Sequence, residues 1–278
     1  MKKRFALIGH PVAHSISPFI HQRLFELSKT PAEYSLIDIP PNKLASYLPE
    51  LKKLDGYNIT IPHKEKIAPL IDELSEKTRL YGCVNTVKNT GYASLGYNTD
   101  AYGFLQALNL ENVNLGGNVT ILGCGGAARV FCFEAALAGC KVSLAVRHQS
   151  LARASQLKAD VEKATGQEIC VTPLDNIPSE SDLLINATPV GMHPHDGQMP
   201  VRGDQLKNCK AVFDAVYNPV ETALIKAAKS NGSKVVSGLP MLVYQAVQAN
   251  KIWTNSIFDE DDIKQLLDDA KEVLRKFP

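Results

Sequence analysis

At 278 residues, with 45% hydrophobic and 21% charged residues, the chain is longer than most single domains and has apolar mass for two cores. The 30 Lys and Arg against 29 Asp and Glu leave a formal charge of +1. No charge block suggests a nucleic-acid arm or a membrane-surface patch, so any affinity for anions must be local. No run approaches the roughly 18 apolar residues of a membrane span.

The start, Met1-Lys2-Lys3-Arg4-Phe5-Ala6-Leu7-Ile8-Gly9-His10, has the basic character of a signal n-region. Its apolar run stops after about five residues, short of the roughly 7–15 that an h-region needs, and it reads as a buried first strand. Short apolar runs at 5–8, 34–39, 57–61, 119–122, 142–146, 182–185, 211–216 and 234–236 alternate with helical patterns. Strands spaced by helices predict βαβ units and parallel sheets. Residues 83–87 and 92–97, broken by Asn89-Thr90-Gly91, predict a hairpin added to the first sheet. The Asn- and Gly-rich stretch 109–117 approaches a new unit that begins at the strand 119–122. Asp259-Glu260-Asp261-Asp262, followed by Ile263, Leu266, Leu267, Ala270 and Leu274, predicts a closing amphipathic helix with acids in its first turn. That helix is expected to return to the first domain. The six cysteines include no Cys-x-x-Cys pair and no metal-ligand spacing, so a reduced, cytoplasmic protein with core cysteines is expected.

Val119-Thr120-Ile121-Leu122 runs into Gly123-Cys124-Gly125-Gly126-Ala127-Ala128 and then a helical stretch through Leu137. Gly123, Gly125 and Ala128 occupy the Gly-x-Gly-x-x-Gly/Ala positions of a dinucleotide turn. The first makes the tight bend, the second lets backbone approach a pyrophosphate, and the third permits close helix–strand packing. The helix N-terminus then faces the phosphates. The strand 142–146 ends in Arg147-His148-Gln149-Ser150 without the acid that an NAD site uses for the ribose hydroxyls. Arg147, assisted by Arg153, can grip a 2′-phosphate, which predicts NADP rather than NAD.

The first domain carries polar clusters at strand ends. Ser15 and Ser17, before Pro18, stand at a helix start where hydroxyls and N–H groups can bind a carboxylate, and Ser17 can also cap that helix. Asn58-Ile59-Thr60-Ile61-Pro62-His63-Lys64 ends in a lysine that opens a predicted helix, and Asn85-Thr86 and Asn98-Thr99-Asp100 add short polar side chains. The seven histidines include no His-x-x-x-His pair backed by a glutamate, and no metal is expected.

Ser15-x-Ser17-Pro18, Asn58-x-Thr60-x-Pro62-x-Lys64, Gly82-x-Val84-Asn85-Thr86, Asn98-Thr99-Asp100, Gly123-x-Gly125-Gly126-Ala127, Asn186-Ala187-Thr188-Pro189-x-Gly191-Met192 and Asp214-x-x-Tyr217-x-Pro219 follow one another in an order that resembles the shikimate dehydrogenase family. The resemblance spans nearly the whole chain. It implies two α/β domains flanking a cleft: a substrate domain at 1–103, with a mixed, mainly parallel sheet and completed by helices at 241–278, and an NADP-binding Rossmann domain at 104–240. It implies reversible NADP-linked interconversion of 3-dehydroshikimate and shikimate by a monomer or homodimer, in the route to chorismate and aromatic amino acids, with no nucleic-acid or membrane partner. A quinate/shikimate enzyme with broader substrate or NAD use is the alternative.

By the same resemblance, Ser15 and Ser17 hold the substrate carboxylate, and Thr60, Asn85, Asp100 and Gln245 bind the ring hydroxyls. Lys64 lies beside the reacting carbon, so that Lys64 and Asp100 are the catalytic pair. Tyr217 closes over the substrate. Gly123, Gly125, Gly126, Ala127, Ala128, Arg147, Thr188, Met192 and Gly238 hold the cofactor, Met192 and Gly238 at the nicotinamide. Val146 stands where the family commonly has asparagine. The chemistry asks for such residues independently: reducing a ketone builds negative charge on oxygen, which a nearby ammonium stabilises and can protonate.

Overall fold

The computed structural model describes residues 2–276. The chain divides into two compact units, 1–103 with 243–278, and 104–242.

The first unit begins β1 (Lys3–Gly9), α1 (Ser17–Leu27), β2 (Ala32–Asp38), α2 (Leu44–Leu51), β3 (Gly56–Ile59), β4 (Glu73–Leu74), α3 (Glu76–Tyr81), β5 (Thr86–Asn89) and β6 (Ser94–Tyr97). Its sheet runs in the order β2-β1-β3-β5-β6-β4. β1 is parallel to β2 and β3, β4 is parallel to β6, and β5 is antiparallel to both neighbours. β1 is buried from Phe5 onward, so the apolar start of the chain is a core strand.

α4 (Asp100–Leu110) leads into the second unit: β7 (Asn118–Leu122), α5 (Gly126–Leu137), β8 (Lys141–Val146), α6 (Leu151–Thr165), β9 (Ile169–Pro173), β10 (Ser181–Asn186), β11 (Cys209–Asp214), α7 (Ala223–Ser230) and β12 (Lys234–Val236). Its sheet, β12-β11-β10-β7-β8-β9, is parallel at every pairing and is doubly wound from β7 outward in both directions, the Rossmann order. Phe104, Phe131 and Phe213 pack within this unit with ring centroids 4.4–5.7 Å apart.

α8 (Gly238–Thr254) and α9 (Glu260–Lys276) end the chain. α9 buries Ile263, Leu266, Leu267, Ala270 and Leu274 and packs against α1, carrying its acids in the first turn. In α8, Trp253 stacks on Phe5 at 4.5 Å, and its Nε1 donates to the Val87 carbonyl at 2.8 Å. Gly56 makes room for it: a Cβ there would lie 2.5 Å from Trp253 Nε1.

Several sequence expectations are corrected. The hairpin pairs Thr86–Asn89 with Ser94–Tyr97 around a turn closed by Thr90 and Ala93. Val84 instead donates its N–H to the Lys64 carbonyl, which keeps 83–85 out of the strand. Lys64 opens no helix. One turn forms, from Ile67 N–H to the His63 carbonyl, and a short 3₁₀ segment Ala68–Leu70 follows, because Pro69 has no N–H to extend an α-helix. β11 stops at Asp214 rather than Val216, since the Val216 N–H turns back to the Asp214 carboxylate. β4 and β9 are additional strands: β4 has two residues, and β9 is a largely uncovered edge, so neither shows a strong apolar run. Cys83, Cys132, Cys140 and Cys209 are buried thiols, whereas Cys170 lies exposed on β9.

Trp253→Ala should lower the stability of the protein by about 3–5 kcal/mol in urea unfolding, while Trp253→Phe, which keeps the stack and loses the hydrogen bond, should cost about 1–2. Equal losses would show that the indole N–H, not the stacked ring, fastens α8 to the sheet.

Candidate active site

In the first unit, sheet order converges three strand ends. Strand β5 lies between β3 and β6 and runs against both, so the end of β3, the start of β5 and the end of β6 meet at one edge. Those ends deliver Asn58, Asn85-Thr86 and Asn98-Thr99-Asp100. Lys64 Nζ donates to Asp100 Oδ2 at 2.6 Å, with the two side chains only 16% and 4% exposed. Asn85 Nδ2 lies 2.8 Å from Asp100 Oδ1, 3.0 Å from Thr99 Oγ1 and 3.1 Å from Gln245 Oε1, while Asn85 Oδ1 accepts from the Thr99 N–H at 2.7 Å and the Thr86 hydroxyl at 3.0 Å. The Asn98 carboxamide oxygen accepts the Asp100 N–H at 3.0 Å, fixing the first turn of α4.

Beneath this layer, Asn58 Nδ2 donates to Thr86 Oγ1 at 3.0 Å, and the Tyr34 hydroxyl donates to Asn58 Oδ1 at 2.8 Å. The Tyr34 ring stacks on His21 at 4.2 Å. Burial drives the His21 pKa down to about 3, so this imidazole is neutral and serves as packing.

Ser15 Oγ donates to Ser17 Oγ at 3.0 Å and accepts the Ser17 N–H at 3.2 Å, so the two hydroxyls are adjacent. Ser17 is the first residue of α1 and makes no capping bond, which corrects the expectation that it caps the helix. Thr60 approaches the end of β1, where a Cβ on Gly9 would lie 2.3 Å from its methyl group. The structure thus joins Lys64, Asp100, Asn85 and Gln245 in one network and Ser15 with Ser17 in another, and sets Thr60 against Gly9.

The second unit presents the glycine turn at the C-terminal ends of β7 and β10, where the sheet's winding reverses and α/β sheets bind ligands. Gly123 has φ +99°, and a Cβ there would lie 2.9 Å from Thr188 Cγ2. Gly125 is the N-cap of α5, no side chain caps that helix, and a Cβ on Gly125 would meet nothing within 4 Å. An uncapped helix start with open space over its glycine fits a pyrophosphate. Gly126 and Ala127 form the first turn, and Ala128 is buried in the unit's core. Arg147 follows β8 and is exposed, free of any covering layer.

Loops after β10 and β11 carry Thr188, Met192 and Tyr217. At their roots Asn186 Nδ2 and the Val216 N–H donate to Asp214 Oδ1 at 2.9 and 3.0 Å, and the Thr222 hydroxyl donates to Oδ2 at 2.6 Å. Burial pushes the Asp214 pKa up to about 6, against the pull of these three donors. Asn58, Asn186 and Asp214 stand in the sequence motifs without an assigned role. Their signal is a short polar residue at the end of an otherwise apolar strand. Tyr34 and His21 carry no such signal.

Among the described residues, no group of three or more His, Cys, Asp and Glu is placed to hold a metal ion, and no helix is long and apolar enough to cross a membrane.

These features define a two-unit α/β protein with a dinucleotide-type sheet and a separate unit that buries a lysine–aspartate pair. Residues 7–87 match the family model of the shikimate dehydrogenase substrate binding domain. A shikimate dehydrogenase (NADP(+)) of Caldanaerobacter subterraneus subsp. tengcongensis is 38% identical over 93% of this chain and 94% of that protein, and one of Geobacillus kaustophilus is 35% identical over 97% and 99%. The crystal structure of shikimate 5-dehydrogenase from Thermus thermophilus in complex with NADP(H) and shikimate superposes with a TM-score of 0.84 at 34% identity, covering 96% of this chain and 99% of that one. The chain belongs to the shikimate dehydrogenase family.

The folded protein holds the Asp214 proton more tightly than the unfolded chain does, because its pKa is raised from 3.8 to about 6. The stability this group contributes is therefore complete below about pH 4 and is lost as pH rises through about 6. Asp214→Asn, which does not titrate, should reduce the fall in unfolding free energy between pH 5 and pH 7 by about 1 kcal/mol in urea titrations. An unchanged fall would place the titrating group elsewhere.

Proposed function

We propose that this chain is an NADP-dependent shikimate dehydrogenase, an oxidoreductase that interconverts 3-dehydroshikimate and shikimate by reversible hydride transfer, in the route to chorismate and aromatic amino acids. The observation that carries the reading is the Lys64–Asp100 pair, held at 2.6 Å by Asn85 in a unit whose relatives are NADP-linked shikimate dehydrogenases. The cofactor supplies or accepts the hydride; the protein positions it and manages charge and protons.

Residues 1–103, with the closing helices, are the substrate domain, and the Rossmann unit is the NADP domain. Ser15 and Ser17 bind the substrate carboxylate through adjacent hydroxyls at the start of α1. Thr60, Asn85, Asp100 and Gln245 bind ring hydroxyls, and Tyr217 is a further substrate-binding residue. Lys64 and Asp100 work as one proton-transfer unit on the reacting oxygen. As the ketone is reduced, the ammonium stabilises the growing negative charge and the pair delivers the proton; in the reverse direction the pair receives it. Asp100 keeps the ammonium aimed, and Asn85 keeps Asp100 aimed. Gly123, Gly125, Gly126, Ala127 and Ala128 form the cradle for the pyrophosphate, and Arg147 pairs with the 2′-phosphate. Thr188, Met192 and Gly238 line the nicotinamide end. The substrate is a small molecule, and the enzyme works in the cytoplasm as a monomer or homodimer. The broader quinate- or NAD-using alternative is not favoured, since the named relatives are NADP enzymes.

A turnover matrix of shikimate and quinate against NADP+ and NAD+, read by reduced-nicotinamide absorbance, tests the reading. Shikimate with NADP+ should dominate, and no turnover of that pair would overturn it. Arg147→Ala should raise KM for NADP+ roughly ten- to a hundredfold, the worth of a charge-assisted contact, and leave KM for NAD+ nearly unchanged. Equal losses for both cofactors would remove the 2′-phosphate from Arg147.

A further inference from the structure

Asp214 is buried at the end of β11, next to Asn186 at the end of β10; the two are Cα partners in the parallel ladder. Its carboxylate receives Asn186 Nδ2, the Val216 N–H and the Thr222 hydroxyl, and that hydroxyl in turn caps α7 by accepting the Ile225 N–H at 3.2 Å. A buried carboxylate is costly even with three donors. What it touches explains its presence.

Asn186, fixed by Asp214, accepts both the N–H and the hydroxyl of Thr188, at 3.0 and 2.7 Å, and Thr188 Oγ1 accepts the Val190 N–H at 3.2 Å. Thr188 then packs its methyl group against the backbone of the Gly123 turn, close enough that no Cβ fits. On the other side, Asp214 holds Val216 in the loop that leads to Tyr217, and Gly238 lies against that segment: a Cβ on Gly238 would come within 2.5 Å of the Ala215 carbonyl oxygen. The two loops are tied again farther out, where the His193 N–H meets the Asn218 carbonyl at 2.9 Å. One carboxylate therefore roots both loops that bear Thr188, Met192 and Tyr217, and supports the surface under Gly238.

We infer that Asp214 is a positioning residue for the nicotinamide half of the cofactor, acting through Asn186 and Thr188 on one loop and through Val216 on the other. The inference rests on the proposed placement of NADP on the Gly123 turn. The requirement is for acceptors at Oδ1 rather than for charge. Asparagine can keep its oxygen toward Asn186 and Val216 and turn its amide toward the Thr222 hydroxyl, which can accept a second bond. Alanine removes the acceptor shared by Asn186 Nδ2, the Val216 N–H and the Thr222 hydroxyl.

The test measures binding of two probes to the full-length enzyme by calorimetry: NADP+, and adenosine 2′,5′-bisphosphate, which carries only the adenine half with its 2′-phosphate. Asp214→Ala should weaken NADP+ about tenfold and lower kcat about 10–100-fold while leaving adenosine 2′,5′-bisphosphate within about twofold. Asp214→Asn should recover most of both losses. Asn186→Ala, which cuts the same link one residue nearer the cofactor and keeps Asp214, should show the same selective loss and serves if Asp214→Ala does not fold. Equal weakening of both probes, or unchanged NADP+ binding and kcat in Asp214→Ala and Asn186→Ala, overturns the inference. Gly125→Asp reports on the underlying reading. If it leaves NADP+ binding intact, the cofactor is not on this turn and the inference falls with it. If it abolishes binding while the Asp214 and Asn186 variants bind normally, only the inference falls.

Discussion

The ion pair between Lys64 and Asp100 is the constraint to which the first unit is built. Two charged groups almost out of water are expensive, and one of them alone would be worse. The pair survives because the remaining valences of Asp100 are answered, by Asn85 at Oδ1 and through an α4 first turn fixed by Asn98. Asn85 in turn needs Thr99, Thr86 and Gln245, and Thr86 needs Asn58. Each polar side chain stands at a strand end, so the antiparallel insertion of β5 between β3 and β6 is what brings them together. A wholly parallel sheet would send the start of β5 to the opposite edge from the ends of its neighbours.

The second unit solves a different problem with the same device. Its parallel sheet collects loops at the C-terminal ends of its strands, and a dinucleotide cradle demands backbone rather than side chains. Gly123, at φ +99°, and Gly125, with open space over it, offer such backbone. The loops opposite them have no regular hydrogen bonding of their own, and buried polar groups at strand ends, Asn186 and Asp214, give them a fixed root. Both units thus place costly buried polar networks at strand ends, Lys64 to Asn85 in one and Asn186 to Asp214 in the other, and apolar packing elsewhere.

Much of this is legible in the sequence because strand ends carry their own signature. Asn85, Asp100 and the glycine turn stand beside short apolar runs, Ser15, Ser17 and Lys64 lie in the connections that follow such runs, and the parallel strands of the second unit are near-continuous apolar segments. The less legible parts depend on partners distant in sequence. Gln245 lies 160 residues from Asn85, and nothing local to α8 says that they meet. Thr99 and Tyr34 act as hydrogen-bonding floor, a role indistinguishable in sequence from an ordinary strand or turn residue. The segment after Pro62 has apolar spacing suited to a helix, yet Pro69 and the Lys64 carbonyl's bond to Val84 hold it in turns. β9 shows little in sequence because only its first residue, Ile169, is buried and the rest of this edge strand is partly or fully exposed.

The pair's action as one unit is tested most directly by a double-mutant cycle on kcat for shikimate oxidation, using Lys64→Ala, Asp100→Asn and the double variant. Each single change should lower kcat, Lys64→Ala by about 10²–10⁴-fold, and the double variant should lose far less than the product of the two if both act on the same oxygen, as proposed. Losses that multiply, or a Lys64→Ala enzyme with near-normal kcat, would contradict the assignment and move the proton-transfer group away from this pair.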